Sequence, residues 1–341
     1  MTEVSMIGLD LAKMVFQAHG ADAAGNVAFR KTLRRPKVLE FFRTLPPCVV
    51  AMEACGGAHH WAREIGRLGH RVRLIPPAYV KPFVKRQKND ASDAEAICEA
   101  AQRPTMRFVA VKSEAAQASG AIFRTRDLLV RQRTQHINAI RGQLTEYGLV
   151  TSKGPAHLPR LLALAEEAGS SLPVDARAMV DLLADMVTLL GQRIIRLDQE
   201  IARRARTEDA PSRLMTIPGI GPITATAIAA LAPPAETFRR GRDFAAWLGL
   251  TPRQHSSGGR QKLGATTKMG ERTIRRLLII GASALVRQTS RRAPPPGSWL
   301  AGMLARKPRM LVITALANKM ARTVWALLAR NEVYRAPAVV A

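Results

Sequence analysis

The sequence predicts an α/β domain at the N-terminus and a mainly helical remainder. Short apolar runs alternate with helical patterns over the first 110 residues or so, as in α/β domains. Beyond that point apolar residues recur at steps of three and four, which is typical of long amphipathic helices. A turn rich in glycine and proline near residue 219 then separates two apolar segments and indicates further packed helices.

The order of the N-terminal elements narrows the fold. The predicted strands are residues 4–10, 15–18, 27–32, 49–53, 71–75 and, with a weaker pattern, 107–109. The predicted helices are residues 36–45, 58–68 and 92–101. Three early strands followed by alternating helices and strands are the order of an RNase H-like domain. That fold brings carboxylates from its first and fourth strands beside those of a late helix.

Four carboxylates stand where such a site requires them. Asp10 and Glu53 end the first and fourth predicted strands, and Asp90 and Asp93 lie three residues apart at a predicted helix start, on one face. Clustered carboxylates repel one another unless a cation neutralises them, and hard oxygen ligands suit Mg²⁺ or Mn²⁺. The pattern therefore predicts a two-metal phosphoryl-transfer site. Taken singly, each residue also fits a turn or cap role, with Asp90 or Ser92 capping a helix that begins near Asp93.

The charge of the chain predicts a polyanionic partner. Its 341 residues hold 52 Lys and Arg against 26 Asp and Glu, a formal net charge of +26. Between residues 239 and 309, 16 basic residues face two acidic ones, so we expect salt-sensitive binding of nucleic acid there. A basic face on anionic lipid is the weaker alternative, because we find no long apolar span or lipidation motif. The three cysteines lack metal-ligand spacing and predict a reducing, cytoplasmic setting.

The central region predicts two long helices within a three-part chain. Apolar stripes run through Ile122, Leu129, Ile137, Ile140 and Leu144, and through Leu183, Met186, Leu190, Ile194, Leu197 and Ile201. Such stripes form an antiparallel hairpin or an oligomer seam, with Pro155, Gly169 and Pro173 marking the connection. The predicted division is a domain over residues 1–112, a helical coiled-coil segment over 113–206 and a C-terminal domain over 207–341.

Three segments are candidates for contact with nucleic acid. Residues 214–225 resemble a helix-hairpin-helix motif, in which Gly219 and Gly221 would leave backbone N–H groups free for a phosphate. A plain helix turn has a similar sequence. Residues 79–88 form a basic segment with Lys85, Arg86 and Lys88, read either as a substrate-side loop or as a solvated charge run. The third segment holds Arg253, Arg260, Lys262, Lys268 and Arg272.

That third segment also holds two candidate nucleophiles, Ser256 and Ser257, directly before Gly258 and Gly259. A hydroxyl beside two glycines can be presented on an exposed turn, where neighbouring Arg and Lys side chains stabilise phosphate and a developing alkoxide. A flexible linker is the usual alternative for such a sequence. The basic flanks and the apolar run at residues 277–280 favour a site loop ahead of a buried helix.

These features together resemble one known family over nearly the whole chain. The carboxylate series, residues 250–259 (LTPRQHSSGG) and residues 315–322 (ALANKMAR) are similar to the DEDD transposases of the insertion-sequence one-ten family, which includes the Piv-type DNA invertases. The resemblance implies a RuvC-like N-terminal domain, a coiled-coil segment and a C-terminal transposase domain. It implies that Asp10, Glu53, Asp90 and Asp93 hold Mg²⁺ and that Ser257 is the catalytic serine, with Ser256 its nearest rival.

The resemblance further implies a phosphoserine-linked DNA intermediate, with donor and target double-stranded DNA as substrates. A structured bridge RNA would pair with both DNAs, and a homo-oligomer, dimer or tetramer, would act in the cytoplasm at the nucleoid. Two other classes remain open at this point. A Holliday-junction or other RuvC-like nuclease would use the four carboxylates with water as nucleophile, and a non-enzymatic DNA-binding protein would need none of them.

Overall fold

The computed structural model describes residues 3–85, 89–168 and 172–336. The chain divides into two compact units, Met1–Ala115 and Ala116–Ala341. The first unit holds a five-stranded sheet with helices, and the second is almost entirely helical. The finer three-part division at residues 112 and 206 stays a prediction.

The sheet of the first unit has the strand order β3-β2-β1-β4-β5. Its strands are β1 (Met6–Asp10), β2 (Val15–Ala21), β3 (Val27–Arg34), β4 (Val49–Glu53) and β5 (Arg71–Ile75). β1 pairs antiparallel with β2 and parallel with β4, so it is the central strand. β4 and β5 are parallel, whereas β2 and β3 form an antiparallel hairpin. The carboxyl ends of β1, β4 and β5 therefore lie at one edge of the sheet.

Helices of the first unit cover both faces of this sheet. They are α1 (Val38–Arg43), α2 (Ala58–Arg67), α3 (Pro77–Val80) and α4 (Asp90–Ala101). Successive side chains of a strand point to opposite faces. Val50 and Met52 of β4 accordingly pack in the cluster with α1 and α2, whereas Ala51 between them packs in the cluster with α4. The RNase H-like order of strands and helices is thus present.

Most predicted elements of this unit occur, with three corrections. Strands 49–53 and 71–75 occur with the predicted bounds. The strand expected at 107–109 is wrong, because Val109 makes only an isolated bridge to Leu74. The helix expected over 36–45 is shorter, since Pro36 lies in a 3₁₀ turn before α1. α4 begins at Asp90, and its cap is Asn89, so neither Asp90 nor Ser92 is the capping residue.

The helices of the second unit are α5 (Glu114–Glu146, which starts in the first unit), α6 (Leu158–Glu167), α7 (Val174–Thr207), α8 (Asp209–Leu214), α9 (Pro222–Leu231), α10 (Gly241–Trp247), α11 (Arg272–Gln288), α12 (Trp299–Arg306) and α13 (Arg309–Arg330). Two short strands, β6 (Pro252–Gln254) and β7 (Leu263–Thr266), form a hairpin between α10 and α11. The connection between the long helices is itself helical, since α6 lies there. Gly169, one of its predicted markers, falls outside the described residues.

The long helices α5 and α7 run antiparallel. Arg126 of α5 binds Asp198 of α7 through two hydrogen bonds, and Ile140 packs with Val180 at the far end. The predicted stripes are buried in large part, including Ile137, Leu144, Leu190, Ile194 and Ile201, but Met186 is 37% exposed. The antiparallel hairpin, one of the two predicted arrangements, is therefore present, whereas the oligomer seam and the coiled coil stay predictions.

One helix among the described residues, α13, is long and apolar enough to cross a membrane. The sequence analysis did not identify this span. Four of its apolar side chains, Val312, Ala317, Ala321 and Val324, are fully buried in the core formed with α9, α10 and α11, whereas Met310 and Leu311 are exposed. A helix that packs in a protein core needs the same composition as a membrane span.

Candidate metal and nucleophile sites

Three of the four predicted carboxylates come together in the first unit. One carboxylate oxygen from each of Asp10, Asp90 and Asp93 lies within 4.8 Å of the others. Asp90 is exposed and the other two are half-buried, so the cluster opens to solvent. Three carboxylates at this spacing offer the oxygen donors that Mg²⁺ and Mn²⁺ prefer, so the donor set fits a divalent cation.

Two elements position these side chains. Asp10 ends the central strand β1, and Asp90 and Asp93 lie in the first turn of α4. The Asn89 side chain accepts a hydrogen bond from the N–H of Ser92 at 2.8 Å, and this cap fixes where α4 begins. The positive end of the helix dipole also favours the two acidic residues of that turn.

Gly8 lets α4 approach β1. A Cβ atom at Gly8 would lie 2.6 Å from the backbone nitrogen of Cys98 and 2.8 Å from the Cys98 Cβ, and it would also overlap the carbonyl of Ala94. Any larger residue would therefore force α4 away from the strand. Because Asp93 lies on α4 and Asp10 on β1, this close contact sets the separation of the carboxylates.

The cluster carries unfavourable charge when no cation is bound. Burial, and then the nearby charges of Asp93, Asp90 and Glu53, raise the pKa of Asp10 from 3.8 to about 6. A pKa raised by burial together with like charges is characteristic of functional carboxylates. Glu53 ends β4 beside Asp10, at the same edge of the sheet, but it is outside the group of three within 4.8 Å. Its role as a ligand stays a prediction.

The candidate serine lies on the hairpin β6–β7 of the second unit. Ser257 and Arg260 flank a two-residue turn, in which the Arg260 N–H donates to the Ser257 carbonyl at 3.0 Å. Gly258 and Gly259 have φ of 55° and 74°, values that turns of this kind require at both central positions. The Ser-Ser-Gly-Gly sequence is thus a structured turn at the tip of an exposed hairpin, and the linker interpretation is wrong.

The two candidate hydroxyls differ in their contacts. The Ser256 Oγ accepts a hydrogen bond from the Lys262 N–H at 3.0 Å, across the hairpin. In the part of the chain that the structure describes, the Ser257 hydroxyl has no such bond. Ser256 therefore supports the hairpin, whereas Ser257 presents its hydroxyl to solvent.

The base of the hairpin is held by side chains from two core helices. The Arg275 guanidinium on α11 donates to the carbonyls of Leu248 and Met269, at 2.9 and 2.7 Å. Asn318 on α13 donates to the Leu250 carbonyl at 3.1 Å. Gly270 fits against the backbone of Trp247, where a Cβ atom would overlap the carbonyl. The sequence contains no signal for these anchors, because each joins residues far apart in the chain.

The predicted nucleic-acid contacts fall into three groups. Arg253, Arg260, Lys262, Lys268 and Arg272 are all exposed, and none forms a salt bridge within residues 3–85, 89–168 and 172–336. Lys85 pairs with Glu95, which also binds Arg30 at 3.1 Å, although the Lys85 side chain stays 69% exposed. Arg86 and Lys88 lie outside the described residues. All of these assignments stay predictions.

The turn between α8 and α9 that contains Gly219 and Gly221 packs closely against α11 at Gly219 and is open at Gly221. Gly219 has φ of 82°, and its carbonyl contacts α11 at Gly281, where a Cβ atom would overlap it. Gly221 is exposed and precedes the first residue of α9. Gly219 thus has a packing role, and Gly221 lies where a helix N-terminus is open to an anion. The helix-hairpin-helix assignment stays a prediction.

The mixed sheet and the clustered carboxylates at its edge define an RNase H-like domain of the DEDD type. A DEDD transposase family model matches residues 7–149, which contain all four predicted carboxylates. A second model, described as transposase IS116/IS110/IS902 family, matches residues 211–294, which contain the serine hairpin.

Similarity to known transposases extends over almost the full chain. A probable family 20 transposase of Pseudomonas aeruginosa is 51% identical, over 97% of this chain and 99% of that protein. The transposase for insertion sequence element IS1328 of Yersinia enterocolitica is 39% identical, over 98% of this chain and 99% of that protein. The transposase for insertion sequence element IS1111A of Coxiella burnetii is 39% identical, over 98% of this chain and 92% of that protein. This chain belongs to the IS110/IS116/IS902 family of transposases, enzymes that cut and rejoin DNA.

Proposed function

We propose that this transposase moves an insertion sequence by a two-component chemistry, in which clustered carboxylates hold Mg²⁺ or Mn²⁺ and Ser257 is the nucleophile. The observation that carries the proposal is the convergence of Asp10, Asp90 and Asp93 within 4.8 Å in a family member that acts on DNA. Glu53, at the same edge of the sheet, completes the ligand set.

The carboxylates prepare the reacting phosphate. When bound, the cation would polarise a scissile phosphate and neutralise charge that develops on its oxygens. Asp10 on the strand and Asp93 on the helix would hold the cation, and the Asn89 cap holds the turn that carries Asp90 and Asp93. The raised pKa of Asp10 supports this role, since burial and then the neighbouring carboxylates disfavour its charged form, which a bound cation would stabilise.

Ser257 provides the covalent step. Its Oγ attacks the phosphorus of the scissile phosphodiester, the bond to the leaving 3′ or 5′ oxygen breaks, and the DNA end stays attached as a phosphoserine ester. The hydroxyl proton leaves with the released oxygen. Attack by a DNA hydroxyl on that ester then rejoins the strand and regenerates Ser257, so the bond energy is kept throughout. The free hydroxyl of Ser257 favours it over Ser256, which supports the hairpin.

The substrates and partners follow from charge and family. Exposed Arg253, Arg260 and Lys262 surround the serine and suit the phosphates of donor and target DNA. Sequence readout by a bridge RNA suits a chain with only 5% aromatic residues, because pairing then replaces side-chain recognition of bases. We place the protein in the cytoplasm, at the nucleoid.

A homo-oligomer, dimer or tetramer, is supported by a second apolar row on α7. Met179, Leu182, Met186 and Leu189 follow steps of three and four and are between 37% and 56% exposed. This row is separate from the buried side chains that face α5 and α6. A partner helix covering such a row is the usual reason for its composition.

The proposal is tested with purified protein, Mg²⁺, labelled donor and target DNA and RNA transcribed from the element's flanks. We expect strand joining that needs Mg²⁺ and is lost in Asp93→Asn, while Asp93→Asn still binds DNA in a gel-shift assay. Asp181→Asn, an exposed acid on α7, is the control and keeps the activity. Joining that persists in EDTA or in Asp93→Asn would refute the metal site. Cleavage without any protein–DNA adduct would instead identify a nuclease that uses water.

A further inference from the structure

A cavity of about 460 Å³ lies in the first unit, apart from the carboxylates. Tyr79, Pro82 and Phe83 line one side, and residues 103–107, which follow α4, line the other. None of these residues is acidic, and two of them are arginines, Arg103 and Arg107. Pockets of this size accept small planar groups that are bound through apolar surface and a few polar atoms.

The lining of this cavity suits a nucleobase. Tyr79 is 43% exposed and forms part of the wall. The Arg103 guanidinium lies over the Phe83 ring, 5.7 Å from its centre, and it also pairs with Glu99 at 2.9 Å, but half of its side chain stays exposed to a further anion. Bases stack on aromatic rings whatever their sequence, and arginine binds the adjoining phosphate.

The cavity is fixed to the helix that carries the candidate metal ligands. Phe83 and Met106 pack in one cluster with Ile97 and Ala101 of α4. Asp90 and Asp93 lie in the first turn of α4, close to Asp10 of β1, and the cavity lies beside the last turn of that helix. Twelve helical residues span about 18 Å, which is the length of about five nucleotides at duplex spacing. A DNA strand cut at the carboxylates is therefore long enough to reach the cavity a few nucleotides away.

We propose that this cavity binds one unstacked base of the DNA strand that is cut, about five nucleotides or fewer from the scissile phosphate. Tyr79 and Phe83 stack on the base, and Arg103 and Arg107 bind the flanking phosphates. This inference rests on the proposed function, because it places DNA at the carboxylates. Held in this way, a strand that has melted from its complement stays in register with the site during exchange.

Photo-cross-linking of the full-length protein tests the proposal directly. The probe is a single-stranded DNA of mixed sequence with 5-iododeoxyuridine in place of thymidine, which on irradiation joins to an aromatic ring stacked on it. EDTA prevents cleavage. We expect a cross-link to the peptide that contains Tyr79, lost in Tyr79→Ala and kept in Tyr79→Phe. Tyr147→Ala is the control, since Tyr147 is an equally exposed tyrosine at 45% in the second unit.

Affinity gives a second measurement with the same variants. Loss of one base stack should weaken binding of the single strand by about tenfold in Tyr79→Ala. For an abasic strand of the same length, Tyr79→Ala and wild type should have equal affinity. Melting temperatures establish that each variant is folded. An equal loss for the abasic strand, no loss at all, or a cross-link absent from Tyr79 would overturn the proposal.

Two further results distinguish this inference from the proposed function. A Tyr79 cross-link that forms with a 5-iodouridine RNA but not with the DNA probe would overturn the assignment to the cut DNA strand. If Mg²⁺-dependent joining by wild type fails while the Tyr79 cross-link forms, the proposed function is wrong and the base-binding cavity stands. If joining succeeds and the cross-link does not form, the proposed function stands and the base-binding cavity is wrong.

Discussion

Gly8 is the residue on which the geometry of the carboxylates depends most. It is buried under α4 in the central strand, and the space for a side chain is filled by the backbone of Ala94 and Cys98. This position has no charge and no reactive atom, so nothing in its chemistry marks it as part of a site. Its effect is to bring Asp93 to Asp10.

Substituting Gly8→Ala should therefore impair metal binding more than folding alone explains. The added methyl group forces α4 outward and separates the carboxylates, so we expect strand joining to fall and the Mg²⁺ concentration for half-maximal activity to rise. Gly66→Ala is the matched control, because Gly66 lies in α2 with no atom within 4 Å of the added Cβ. Unchanged Mg²⁺ dependence in folded Gly8→Ala would contradict this role for the contact.

The raised pKa of Asp10 predicts how the stability of the metal-free protein depends on pH. Its pKa is raised from 3.8 to about 6, so the group is protonated below pH 3.8 in both folded and unfolded states, and ionisation costs folding energy as pH rises through 6. Asp10→Asn removes that cost. We expect the variant to be more stable than wild type at pH 8 in EDTA, by on the order of 1 kcal/mol after allowance for solvent screening.

Thermal melts over a pH series measure this difference. The two proteins should melt alike near pH 4, and the advantage of Asp10→Asn should appear between pH 4 and 7. Added Mg²⁺ should stabilise wild type and have little effect on the variant. Asp181→Asn controls for loss of a surface charge. If Asp10→Asn were less stable than wild type at pH 8, ionised Asp10 would not destabilise the metal-free protein, contrary to this prediction.

At the scale of elements, the serine lies on a hydrogen-bonded β-hairpin rather than on a flexible loop. Its turn uses two glycines with positive φ, Ser256 closes the strands, and Arg275 and Asn318 fix its base to core helices. Each of these contacts orients Ser257 without touching its hydroxyl.

The turn can be tested through Gly259→Ala. An alanine at φ of 74° costs about 1 kcal/mol of strain, which should lower the yield of a protein–DNA adduct about fivefold. Duplex DNA binding should not change, because the basic side chains remain. Gly264→Ala in β7 is the control, since its Cβ would lie at an ordinary 3.4 Å from His255. Equal adduct yields in wild type and Gly259→Ala would show that the turn geometry does not matter.

The elements also show what a sequence can predict. β4 was predictable in full because a buried parallel strand is a short apolar run, and β5 because Val72, Leu74 and Ile75 form a short strand pattern that ends before two prolines. α6 was missed, since its Pro-containing start resembled a connection, and Met186 was placed in one stripe with Leu190 and Ile194 although it lies on the exposed row. The carboxylates were found because their chemistry is visible at the ends of strands. Gly8, Asn89 and Asn318 were missed, because their roles depend on which segments meet in space.

Across the whole molecule, the chemistry divides between two compact units. The first contains the clustered carboxylates and the base-sized cavity, and the second contains the serine hairpin among exposed basic residues. The net charge of +26 suits a protein that binds several nucleic-acid strands through their phosphates. The family membership establishes that DNA is cut and rejoined, and we propose that the metal ligands of the first unit and the serine of the second share that reaction.

Adduct formation tests that claim most directly. Wild type, Ser257→Ala and Ser256→Ala are incubated with Mg²⁺, labelled donor DNA and the flanking RNA, then denatured, and protein-linked label is mapped by mass spectrometry. We predict a phosphoserine link at Ser257, absent from Ser257→Ala and from any reaction with EDTA, and reduced but present in Ser256→Ala. Strand joining by Ser257→Ala at the wild-type rate, or a link mapped to Ser256, would contradict the account.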